Sequence, residues 1–94
     1  MKAAEWTKPA QTDLARIDSY CAARDPDFAE QVGRMAIEAA VFLAEWPDAG
    51  TPVDKIRRKW LVKSTPYLLI YRVYADRVRI LRVRHARQDW RPKA

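Results

Sequence analysis

The chain has 94 residues, 49% of them hydrophobic and 11% aromatic, with two glycines, six prolines and one cysteine. That is enough apolar material for one modest core, which argues against disorder, and no apolar run nears the roughly 20 residues of a membrane span. The net charge of +6 hides a split: residues 1–54 sum to −5 and residues 55–94 to +11, so one half supplies a positive field suited to phosphate or an acidic protein. The opening MKAAEWTKPAQTD lacks the apolar core of a signal peptide. A lone Cys21 forms no internal disulfide, which fits a reducing, cytoplasmic setting, and it reads as a small buried residue.

Lys2 to Trp6 is a weakly signalled first strand. Thr7 can cap a helix with Pro9 in its first turn, where a missing N–H does no harm. Ala10, Leu14, Ile17 and Cys21 follow at helical spacing with Tyr20 beside them, while Gln11, Asp18 and Arg24 take the opposite side. Asp25-Pro26 stops this helix and starts a second. The second runs to about Trp46, where Pro47 closes it. Its apolar stripe includes Phe28, Val32, Met35, Ala36, Ala39, Phe42, Leu43 and Trp46, and Ala40 with Val41 widen it beyond what one neighbour needs. So short a connection predicts an antiparallel helix hairpin.

Pro47 to Pro52 is turn chemistry throughout. Arg57 to Lys63 reads as a strand, and Lys63-Ser64-Thr65-Pro66 turns it into a Tyr67–Tyr74 strand that is apolar on both sides, as a central strand should be. After Ala75-Asp76-Arg77 comes a last strand. There Val78 and Ile80 share one face, Leu81 and Val83 the other, a change of phase that predicts a β-bulge near Ile80–Arg82. The order is β-α-α-β-β-β: an antiparallel helix hairpin packed on a small, mostly antiparallel sheet, class α+β, one domain over 1–94.

Trp6-Thr7, Ala10, Asp13-Leu14, Ile17 and Tyr20 resemble the first helix of the ParE/RelE superfamily of type II toxin–antitoxin toxins. Asp25-Pro26 with Ala29 resembles the start of its second helix, and Leu43, Pro47 and Gly50 its close. Thr65-Pro66-Tyr67 with Leu69-Ile70-Tyr71-Arg72-Val73 is similar to its third strand. Val78, Ile80 to Val83, His85 and Arg87-Gln88-Asp89-Trp90 are similar to its terminal strand and tail. The order and spacing of the pieces together make the match specific, and the resemblance is nearer the ParE branch. It implies a cytoplasmic toxin domain neutralised by a cognate antitoxin, acidic where it meets the toxin. The implied target is DNA gyrase for ParE-like members and ribosome-bound mRNA for RelE-like ones.

Cleaving RNA through its own 2′-hydroxyl needs a base, an acid and cations on the phosphate. Cations abound in the second half. His85 is the single side chain able to exchange a proton near neutrality. An endoribonuclease would therefore use His85 with Arg82, Arg87 and Lys63. RelE-like nucleases often place a tyrosine or histidine after the last strand; the tail here offers Trp90, and Glu45 at a helix end is a distant substitute. That departure favours a binding surface made of Arg79, Arg82, Arg84, His85, Arg87 and Trp90, with Trp90 as an anchor. Surplus apolar surface and cations nominate Val41, Trp46, Arg57 and Arg72 for the antitoxin. One histidine and one cysteine far apart make no ordinary metal site, and Gly33 and Gly50 make no phosphate loop. No cofactor, metal or membrane is expected.

Overall fold

The structure, a computed structural model, describes residues 3–87. Its elements are β1 (Ala3–Trp6), α1 (Lys8–Ala22), α2 (Pro26–Glu45), a single 3-10 turn (Pro47–Ala49), β2 (Thr51–Pro52), β3 (Arg57–Leu61), β4 (Tyr67–Val73) and β5 (Arg77–His85). The sheet order is β1-β5-β4-β3-β2, with β1 parallel to β5 and the other pairs antiparallel. The α+β order read from the sequence stands, with one addition: the two-residue β2 pairs with Arg58 and Lys59. No helix among the described residues is long and apolar enough to cross a membrane.

Both helices start where their caps dictate. The Thr7 hydroxyl accepts the Ala10 N–H at 3.3 Å, and the Asp25 carboxylate accepts the Phe28 N–H at 3.1 Å. Thr7 has a second task. Its N–H donates to the Ile80 carbonyl, and its hydroxyl to the carbonyls of Ile80 and Leu81, so the helix cap is tied to β5 where pairing with β1 ends.

The buried side of α2 is small and closely spaced: Ala29, Val32, Ala36, Ala39, Ala40, Leu43 and Ala44. Alanines bring a helix near its neighbours with little side-chain entropy lost. Beneath lie Tyr67, Leu69 and Tyr71 of β4 with Val78, Ile80 and Val83 of β5. The last three reach one side because the β4–β5 register shifts: Ile70 pairs with Arg82 but Tyr71 with Ile80, leaving Leu81 as the extra residue. The bulge therefore falls within the predicted stretch.

Tyr71 anchors the turn after α2. Its hydroxyl donates to the Pro47 carbonyl at 2.6 Å and accepts the Gly50 N–H at 2.9 Å. Gly50 must lack a side chain because a Cβ there would sit 2.5 Å from that hydroxyl oxygen and 2.7 Å from the Lys59 carbonyl. Burial pushes the Tyr71 phenol up, against the opposing pull of the Gly50 N–H and the Arg58 charge.

Two details depart from the sequence pattern. Ala40 is buried, so it is no part of a surplus stripe, whereas Val41 and Trp46 are 55% and 61% exposed, with Ile37 exposed beside them. On α1, Leu14 and Ile17 are only half-buried, Tyr20 is exposed, and Asp13 is buried instead. The helix faces the sheet about one residue away from the simplest apolar line.

Candidate functional site

The face of the sheet turned away from the helices is built from cross-strand rows. Arg57, Arg72 and Arg79 stand opposite one another across β3, β4 and β5. The next row is Lys59, Ile70 and Arg82, and the third Leu61, Leu68 and Arg84. Like charges set directly opposite repel, and carboxylates offset part of that cost. Asp54 takes Arg57 through two nitrogens, at 2.8 and 2.7 Å, and Glu5 takes Arg79. The Asp54 carboxyl is pulled down to about 2 by the Arg57 guanidinium and by the N–H groups of Ile56 and Arg57. Arg72 has no carboxylate partner among the described residues; its guanidinium lies 4.9 Å from the Tyr74 ring centre, with Arg77 5.1 Å from the same ring.

Beyond Ile80, β5 has no strand neighbour on its outer side among the described residues, and Asp13 of α1 closes that edge. It accepts the Val83 N–H at 3.0 Å and two bonds from Arg82, at 2.7 and 3.0 Å. Arg84 stands 4.0 Å from the same carboxylate. Burial raises the Asp13 carboxyl, but the bonds from Arg82 and Val83 and the charges of Arg82 and Arg84 outweigh it, leaving the group below its ordinary value. The sequence shows Asp13 as part of the family resemblance but gives it no role in a site. The available signal was an acid three residues after Ala10 on the buried side of an amphipathic helix, which calls for a partner.

His85 ends β5 opposite Tyr67, edge-on to its ring at 5.5 Å between centres. Its Nδ1 accepts the Arg87 N–H at 3.1 Å, which puts a neutral ring's proton on Nε2. The Tyr67 hydroxyl lies 3.6 Å from the buried Cys21 sulfur. Burial and that thiol push the Tyr67 phenol up to about 12.

The nominated residues fall into separate places. Arg79, Arg82 and Arg84 share β5, with His85 and Arg87 at its end; Trp90 lies outside the described residues. Lys63, in the β3–β4 turn, is at the same end of the sheet, because His85 pairs with Tyr67 and the Ala86 N–H bonds the Pro66 carbonyl at 2.7 Å. Arg82 spends two of its donors on Asp13. Val41 and Trp46 lie on α2 and at its end, whereas Arg57 and Arg72 are cross-strand neighbours on the far side of the sheet, so the four make no single patch. Among the described residues no cluster of three or more His, Cys, Asp and Glu side chains can hold a metal ion.

This geometry matches known proteins along nearly its whole length. The family described as "ParE toxin of type II toxin-antitoxin system, parDE" matches residues 4–90. The chain belongs to the ParE toxin family. Among curated proteins, this ParE-family toxin is 36% identical over 81 residues to the toxin RelE2 of Caulobacter vibrioides, covering 86% of this chain and 91% of that one. It is 32% identical over 88 residues to the toxin RelE3 of the same organism, covering 92% and 96%. Among solved structures, a chain of the chromosomal ParDE toxin–antitoxin system of P. aeruginosa superposes with a TM-score of 0.78 at 21% identity, covering 90% of this chain and 96% of that one. That last likeness is one of fold. Membership of the family makes the protein a toxin of a type II toxin–antitoxin system and implies a cognate antitoxin.

Proposed function

We propose that this toxin inhibits DNA gyrase by binding it, and that its antitoxin neutralises it in the cytoplasm by covering exposed surface. The observation that carries the reading is the state of the β5 end. Cations are plentiful there, but Arg82 is held by Asp13 and the His85 Nδ1 accepts a backbone N–H. Both side chains are held in place beside the other cations of β5, as a shaped binding surface requires. An arginine-rich strand beside a histidine and aromatic rings suits recognition of a large acidic partner. The test is supercoiling by purified gyrase with added toxin. The reading expects loss of supercoiling at micromolar toxin, restored by the antitoxin; unchanged supercoiling would count against it.

A second reading is a ribosome-dependent endoribonuclease that needs no metal. The RelE names of the two Caulobacter relatives favour it, as does the location of Lys63, His85 and Arg87 at one end of the sheet. Primer extension on ribosome-bound mRNA distinguishes it. No new cuts, or cuts unchanged in His85→Ala, would remove it.

For the antitoxin, the exposed apolar residues Ile37, Val41 and Trp46 of the α2 region offer anchors to an amphipathic segment. They continue into a groove of about 550 Å³ between α1 and α2, lined by Trp6, Leu14, Val32 and Gly33 among others. Acidic residues flanking that segment would meet Arg57 and Arg72 on the other side of the sheet, speeding association at low salt.

A further inference from the structure

Between α1 and the end of β5 lies a cleft of about 470 Å³ that shares Arg84 and His85 with the nominated target surface and extends to residues of α1 outside it. Buried Val83 and Tyr67 form its floor, and Arg16, Tyr20, Arg84 and His85 stand around it. Its charge is unbalanced. Asp13 is the carboxylate in the lining, and its oxygens already accept two bonds from Arg82 and one from the Val83 N–H. Arg84, at 4.0 Å, is loosely matched, and Arg16 has no carboxylate partner among the described residues. Beside these guanidiniums the Tyr20 ring is 57% exposed, with Arg24 stacked 3.8 Å from its centre. Arg24 covers one face of the ring, and the ring itself is part of the cleft lining.

We propose that this cleft binds a phosphorylated nucleoside, its phosphate between Arg16 and Arg84 and its base stacked against Tyr20. Two guanidiniums can each offer paired donors to phosphate oxygens. An aromatic platform beside them accepts any base through its π-face. The volume falls within the range of small-ligand sites. A run of carboxylates on an acidic peptide would be served by the cations alone and would have no use for the ring, which is why a nucleotide is favoured. The cleft shares Arg84 and His85 with the surface assigned to the target, whereas Arg16 and Tyr20 lie outside it, so variants at Arg16 and Tyr20 test the cleft separately from the gyrase reading.

The experiment titrates thymidine 5′-monophosphate into the purified toxin, with binding followed by calorimetry and by NMR of the tyrosine and histidine side chains. Saturable binding that shifts Tyr20 and His85 is expected. Tyr20→Ala and Arg16→Ala should each weaken it about tenfold, while Tyr20→Phe binds like the parent and Arg34→Ala on α2 changes nothing. Inorganic phosphate should bind more weakly and without regard to Tyr20. Melting curves of the variants, all at exposed positions, guard against misfolding. Shifts confined to the Arg57–Arg72 face, equal binding by Tyr20→Ala, or displacement by a hexaglutamate peptide of equal affinity would each overturn the proposal.

Discussion

Replacing Asp13 with alanine removes the acceptor that closes the free edge of β5, and the cost can be worked out from its bonds. The Val83 N–H loses its 3.0 Å partner, and an unsatisfied buried donor costs about 1–3 kcal/mol. Arg82 loses two charge-assisted bonds, but its side chain is 39% exposed, so water recovers part of that loss. Together these give about 2–3 kcal/mol. At about 4–8 °C per kcal/mol for a domain this size, the melting temperature should fall by about 10–20 °C. Asp13→Asn keeps an acceptor for Val83 and loses the charge, and should cost about 1 kcal/mol. The sign with pH follows from the depressed carboxyl. Its stabilisation is full above the ordinary carboxylate range and disappears as pH falls through the lower folded value. The gap between the parent and Asp13→Asn should therefore be open at pH 7 and narrow in acid below about pH 4. Thermal melts followed by circular dichroism at several pH values measure both effects. A melting point for Asp13→Ala within about 3 °C of the parent would refute the edge-closing role.

Gly33→Ala should stabilise the protein by about 1 kcal/mol, because the position is helical and an added Cβ meets nothing within 4 Å; the same melts read it. Tyr71→Phe should cost about 2 kcal/mol in denaturant unfolding, since the Pro47 carbonyl and the Gly50 N–H both lose their shared partner. Trp46→Ala and Val41→Glu should each weaken antitoxin binding about tenfold or more in a titration while leaving the melting point of the free toxin nearly unchanged, because both side chains are exposed.

Local chemistry made most of the fold legible. Caps at Thr7 and Asp25 act over three residues, so they can be read without knowing the fold. The bulge was legible for a similar reason: strand side chains alternate strictly, and Val78, Ile80 and Val83 cannot share a face without an extra residue. What the pattern could not reveal depends on contacts distant in sequence. Asp13 and Arg82 are 69 residues apart, and nothing in either neighbourhood names the other. β2 has two residues and exists only because β3 offers it an edge. The separation of Val41 and Trp46 from Arg57 and Arg72 follows from layer packing, which no one-dimensional count of exposed apolar and basic residues contains. The charge split did foretell the layering: the acidic half forms the helices and the basic half the β3–β4–β5 face.

The most direct measurement for the gyrase reading is inhibition of supercoiling by the parent toxin and by Arg87→Glu. Arg87 is exposed, has no carboxylate partner among the described residues, and holds His85 through its backbone N–H, which the substitution leaves in place. The account predicts inhibition by the parent and a rise of about tenfold in the concentration the variant needs, with an unchanged melting point. No inhibition by the parent, or equal inhibition by the variant, would contradict it.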